Sequence, residues 1–143
     1  MKRNVRTVLI AMAAILVFCF VPCTSARADD SDIALMWNYI TSVNGELNIS
    51  NVGVATVSGR GKAVDDSVTK ISVNTSLQQY KSNRWTEIKS WYTSVNGKTA
   101  STGTKNHSVA HGYSYRCVIT VKAYKGTSVL ESATKTVNYG YFG

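Results

Sequence analysis

Apolar and polar residues alternate with a period of two along most of this chain, the pattern of strands that bury one face. Ile71, Val73, Thr75 and Leu77 share one side of such a run, and Lys70, Ser72, Asn74, Ser76 and Gln78 share the other. Tyr113, Tyr115, Cys117, Ile119, Val121 and Ala123 form a second run. Val129 to Tyr141 forms a third, with Val137, Tyr139 and Tyr141 expected on one face. Leu35, Trp37, Tyr39, Thr41 and Val43 alternate earlier, followed by Leu47 and Ile49. "GVATVS" and "WTEIKSWYTSV" add two more strands, but Trp85, Ile88 and Trp91 break the alternation, which predicts a bulge there.

Turn-forming clusters separate these runs: Asn44-Gly45, "SGRGK", "VDDS", "YKSNRW", Asn96-Gly97, His111-Gly112 and "YKGTS". Asn-Gly suits a type I′ hairpin, because both central residues must adopt positive φ. The pentapeptide "TSVNG" occurs twice, at residues 41–45 and 93–97. Trp37 precedes the first copy by four residues and Trp91 the second by two, and the flanks share no pattern, so a repeated turn is expected rather than a duplication. The first copy is expected to close the opening hairpin, and the second to lead into a polar loop, "KTASTGTKN". No helical apolar period follows the N-terminal segment. The prediction is an all-β chain: a single immunoglobulin-like antiparallel β-sandwich of about seven or eight strands, preceded by a signal-peptide helix.

That segment reads as an export leader. Lys2, Arg3 and Arg6 precede the apolar run "VLIAMAAILVFCFV", and Ala26-Arg27-Ala28 supplies the small-x-small site. Cleavage is expected after Ala28, and the run is short for a membrane anchor. The organisation expected is residues 1–28 signal peptide, 29–35 flexible acidic N-terminus, and 36–143 sandwich domain, secreted and without a membrane span after cleavage. Loss of Lys2, Arg3, Arg6 and Arg27 takes sixteen basic residues to twelve against eight acidic, so the net charge falls from +8 to +4. The remaining cations are scattered, and a nucleic-acid interface needs them clustered. Cys19 and Cys23 leave with the leader; Cys117 remains and is expected to be a buried thiol, with an intermolecular disulfide as the alternative.

"GYSYRCVITV" places Tyr115 two residues before Cys117, similar to the tyrosine corner at the start of strand F in immunoglobulin-like sandwiches. No cysteine stands in the strand-B region, so the disulfide of antibody domains is absent. "VTKISVNTSLQQYKSNRWTEIKSW", followed by "GYSYRCVITVKAYKGTSVLESATKTVNY", resembles a family of small exported Gram-positive bacterial proteins of unknown function. That resemblance implies export and an immunoglobulin-like (fibronectin-like) sandwich, and it assigns no functional residue.

Catalytic and cofactor chemistry is sparse. His107 and His111 are the only histidines; four residues apart on a strand they stand roughly 13 Å apart, too far to share a metal. Cys117 falls on the inward face, where thiolate is disfavoured. Asp65 and Asp66 are adjacent loop acids, and Glu87 and Glu131 read as acids on a solvated face. No GxSxG elbow and no complete phosphate loop is present. No catalytic residue, cofactor or metal is expected. The aromatic set is richer: beyond the leader it comprises eight Tyr, three Trp and one Phe. Trp37, Trp85, Tyr113 and Tyr115 are the expected core members. Trp91, Tyr92, Tyr80 and Tyr124 are the candidate ligand-binding residues, since Tyr and Trp join a flat apolar face to a hydrogen-bond donor. The expected function is a secreted, non-enzymatic binding or structural module, with a glycan, the cell envelope or a protein surface as partner. A small secreted hydrolase with an unrecognised site and a secreted toxin or antimicrobial factor are the alternatives.

Overall fold

A computed structural model describes residues 37–143, so the leader and the acidic segment lie outside the described residues. Eight strands follow in order: β1 (Ile40–Ile49), β2 (Val54–Ala63), β3 (Lys70–Lys81), β4 (Arg84–Asn96), β5 (Thr99–Ser101), β6 (Lys105–Ser108), β7 (Tyr113–Lys125) and β8 (Ser128–Phe142). All pairings are antiparallel. One sheet runs β1-β2 and then β5 and β6, which pair in turn with the same edge of β2; the other runs β4-β3-β7-β8. The fold is an all-β immunoglobulin-like sandwich, as the alternation predicted.

The inward faces follow the sequence pattern most closely in the two central strands of the larger sheet. Ile71, Val73, Thr75 and Leu77 of β3 are fully buried, as are Tyr115, Cys117, Ile119, Val121 and Ala123 of β7. Opposite them, the inward positions of β2 are Ala55, Val57, Gly59, Gly61 and Ala63, all small. "SGRGK" is therefore not a turn but the second half of β2. A Cβ on Gly59 would meet Thr75 and Ile119, and one on Gly61 would meet Val121. The glycines are where the bulk of one sheet presses into the backbone of the other.

Turn chemistry is also redistributed. Asn44-Gly45 lies inside β1, paired with Arg60 and Gly59, so it closes no hairpin. The type I′ geometry belongs instead to Ser82 and Asn83 (φ 53° and 61°), within the "YKSNRW" cluster that joins β3 to β4. The second "TSVNG" ends β4 and crosses between sheets, where Gly97 donates to the Thr69 carbonyl at 3.0 Å. "KTASTGTKN" is not a loop throughout, because it contains β5 and the start of β6. Between them, the Thr102 hydroxyl reaches inward to Thr75 Oγ1 at 3.0 Å and accepts the Gly59 N–H at 3.2 Å.

Bulges decide which side chains reach the core. A register shift after Ile40 turns both Ile40 and Val43 inward and leaves Thr41 exposed, breaking the expected Thr41–Val43 face. A shift in β8 leaves Tyr139 without a partner between Asn138 and Gly140, so Val137, Tyr139 and Tyr141 do not share one face. The Tyr139 hydroxyl donates to the Ile49 carbonyl at 3.3 Å, while Tyr141 turns outward. Of the four aromatics expected in the core, only Tyr115 is completely buried; Trp37 and Tyr113 are half-buried against it, and Trp85 stands on the outer face. Tyr115 forms the corner, donating its hydroxyl to the Ala110 carbonyl at 2.7 Å and accepting from Gln79 Nε2 at 2.8 Å.

Glu131 is not on a solvated face. It accepts backbone N–H groups from Asn38 (2.9 Å), Tyr39 (2.9 Å) and Ile40 (2.6 Å), fastening the entry of β1 to β8. Burial raises its pKa, but the bonds from Ile40, Asn38 and Tyr39 together outweigh that and hold the carboxyl below its ordinary value. A lowered folded pKa contributes stability that is fully present above the unfolded value and lost as the pH falls through the folded one. Glu131→Gln is therefore expected to lower stability by about 1.5 kcal/mol at neutral pH. The gap to wild type should close as the pH drops below the ordinary 4.5, measured by urea unfolding across a pH series.

Candidate functional site

The outward face of the larger sheet is built by the alternate residues of its four strands. Register across β4, β3, β7 and β8 sets Trp85, Tyr80, Ser114 and Tyr141 in a row at one end. Eight residues back along β3, Ser94, Ser72, Lys122 and Ser132 form another. The rows between present amides and hydroxyls, among them Gln78, Asn74, Ser90, Thr120 and Thr134. Such a surface is flat and offers donors and acceptors in regular array, with aromatic rings toward both ends.

At the first end, the Tyr80 and Trp85 rings pack with centroids 5.2 Å apart. The Arg116 guanidinium lies 4.3 Å over the Trp85 ring and donates through Nε to Gln78 Oε1 at 2.8 Å. At the other end, Tyr92 and Tyr124 flank a depression of about 180 Å³ whose remaining lining is Ser72, Asn74, Thr120 and Lys122. The Ser72 hydroxyl lies 3.4 Å from Tyr124 Oη, and Lys70 Nζ stands 4.4 Å over the Tyr124 ring. Tyr92 is 66% exposed. Hydrogen bonds with Ser94 and Ser72, followed by the charges of Lys70 and Lys122, hold its phenol below the ordinary value against a small burial effect.

Three of the four aromatics picked out from the sequence therefore share this face: Tyr92 and Tyr124 around one depression, and Tyr80 at the far end. Trp91 does not join them. It sits opposite Thr75, on the inward side of β4, and packs half-buried against the core. Trp85 takes a place on the face that the sequence assigned to the interior. A bulge at Ile88, where Leu77 pairs with Lys89 and Gln78 with Glu87, sets the two tryptophans on opposite faces, as the broken alternation predicted. Pairing with β3 decides which one faces inward, laying Trp91 opposite the buried Thr75 and Trp85 opposite Tyr80. One extra residue inverts the side of everything beyond it. Trp85 and Tyr92, an odd number of residues apart, thus fall on the same face, whereas Trp85 and Trp91 fall on opposite faces. The broken alternation around Ile88 was the signal available in the sequence.

The smaller sheet carries a larger depression, about 450 Å³, among Asn44, Gly45, Glu46, Ser58, Gly59, Arg60 and Ser101. It has no aromatic wall on which a ligand ring would stack. Burial pushes the Cys117 thiol up to about 11, so it has no nucleophilic character at neutral pH. His111 stacks on Phe142 with centroids 4.2 Å apart, and His107 lies in β6 beside Ala55.

No protein-family model matches the chain, and no curated protein matches it. Among solved structures, it is similar to part of the β-glucuronidase of Parabacteroides merdae. The TM-score is 0.45 at 15% sequence identity, and the match covers 71% of this chain and 13% of that one.

Proposed function

We propose that this protein is an exported, non-enzymatic binding module that takes up a glycan on the outer face of the sheet β4-β3-β7-β8. One observation carries the reading: Tyr80, Trp85, Tyr92 and Tyr124 gather on a single face, joined by rows of serine, threonine, asparagine and glutamine. Sugar rings present apolar C–H faces ringed by hydroxyls, so they match a surface that alternates aromatic planes with neutral donors and acceptors. A membrane-active toxin would instead need a contiguous apolar patch, and this face is interrupted by polar side chains in every row. The resemblance to small exported proteins agrees with a role in the cell envelope or outside it.

The test is binding of the protein to a panel of soluble polysaccharides, read by affinity electrophoresis and calorimetry. Tyr92→Ala is expected to weaken binding at least about ten-fold, the loss typical of an exposed aromatic anchor. Its melting temperature should stay within about 1 °C of wild type, because an exposed side chain on a sheet surface holds little of the fold. Unchanged affinity in both Tyr92→Ala and Tyr124→Ala would reject this face as the site. Release of reducing ends from any bound polymer would reject the non-enzymatic reading.

A further inference from the structure

We infer that the depression between Tyr92 and Tyr124 receives the acidic group of a charged glycan, an oxyanion held by Lys122 with the hydroxyls of Tyr124 and Thr120. This rests on the glycan reading and deepens it by naming the ligand's charge. Ser72 and Lys122 are direct neighbours across β3 and β7, and Asn74 and Thr120 are the next pair but one along the same two strands. Ser72 donates its hydroxyl to Tyr124 Oη and so leaves the Tyr124 phenol free to donate. The tyrosine and Thr120 hydroxyls, the Asn74 amide and the Lys122 ammonium therefore offer donors to one 180 Å³ space.

What the space lacks matters as much. Its lining includes no carboxylate. The one acid on this face, Glu87, pairs with Gln78 and accepts the Ser76 hydroxyl at 2.5 Å. That bond holds the carboxylate at Ser76, four residues of strand from Ser72, roughly 13 Å. The loop acids are engaged elsewhere, Asp65 with the Ser67 hydroxyl and Asp66 with Lys98. Among the described residues, neither Lys70 nor Lys122 forms an ion pair. Lys70 is directed over the Tyr124 ring, which leaves Lys122 as the cation open to a ligand. Lys70 and Lys122, with no carboxylate in the lining, give this end of the face a positive potential.

A carboxylate on a uronic acid and a phosphodiester between polyols supply the same chemistry, so the experiment includes both. Affinities would be measured for polygalacturonate, its fully methyl-esterified form, and poly(glycerol phosphate). The expected result is tighter binding of one or both charged polymers than of the ester, by about five-fold for a solvent-screened contact. That preference should disappear in Lys122→Gln and shrink with added salt. Lys105→Gln, on β6 in the other sheet, should retain it. Preference for a uronate alone or a phosphodiester alone identifies the source of the oxyanion. Equal affinity for acid and ester, with Tyr92→Ala still weakening both, overturns the oxyanion site and leaves the glycan reading standing. A charge preference that survives Lys122→Gln overturns the placement. Failure to bind any polysaccharide in the wider panel overturns the glycan reading itself.

Discussion

Gly59→Ala is expected to destabilise the protein by about 3 kcal/mol, the upper part of the usual range for overpacking a core. In a domain of this size that lowers the melting temperature by about 10–15 °C. The backbone at Gly59 is ordinary extended strand, so the cost is one of space. An added Cβ would overlap Thr75 Oγ1 and crowd Ile119 Cγ2 at 3.3 Å. Thr75 has no cheap escape, because its hydroxyl is buried and bonded to Thr102 Oγ1, which itself accepts the Gly59 N–H. Rotating Thr75 breaks that cross-sheet bond, while keeping it forces the sheets apart. The two-residue test is direct: in a Thr75→Ala background the obstructing oxygen is gone, and Gly59→Ala should then cost less than about 1 kcal/mol. Such a coupling is what double-mutant cycles report for residues in contact. Additive costs in urea unfolding would show that Gly59 is required for another reason.

Gly59 also marks the boundary of what the sequence displays. A glycine in "SGRGK" carries the local chemistry of a turn, and only Thr75 and Ile119, far along the chain, give it a strand position. Asn44-Gly45 fails in the same way. Its turn preference yields to the register that sets Gly45 opposite Gly59 and against Ile119. Ser82-Asn83 makes the tight turn because the strands on either side pair up to Lys81 and Arg84. By contrast, β3 and β7 are central strands with one face against the other sheet, so their burial is written in their own alternation. The proposed binding face was half legible for a related reason. Tyr80 and Tyr124 follow the parity of those central strands, and Tyr92 can be placed only once the bulge at Ile88 is known. Glu131 was hidden because its partners are backbone N–H groups, which every sequence has and no composition reveals.

The tyrosine corner is the feature for which sequence and geometry meet, and it supports the second large prediction. Tyr115→Phe keeps the ring, its volume and its burial, and removes one oxygen. That oxygen is both donor to the Ala110 carbonyl and acceptor from Gln79. The expected loss is about 2 to 3 kcal/mol, since two polar groups at the edge of the core lose their partner together. A single exposed hydroxyl would cost a fraction of that. The Ala110 bond pins the chain just before β7, where Gly112 also donates to the Phe142 carbonyl at 2.7 Å. Loss of the corner should therefore loosen the β6–β7 connection and the end of β8 ahead of the remainder. Hydrogen exchange is the discriminating measurement. Faster exchange at Gly112 and Tyr113, with the centre of β3 unchanged below global unfolding, is the result expected of a local pin. A uniform rise across both sheets would mean that the hydroxyl sustains the whole fold. The outer face, built from residues of β3, β4 and β7 beyond the corner, should keep its affinity for ligand in this variant. Binding and folding would then be separable on the same two central strands.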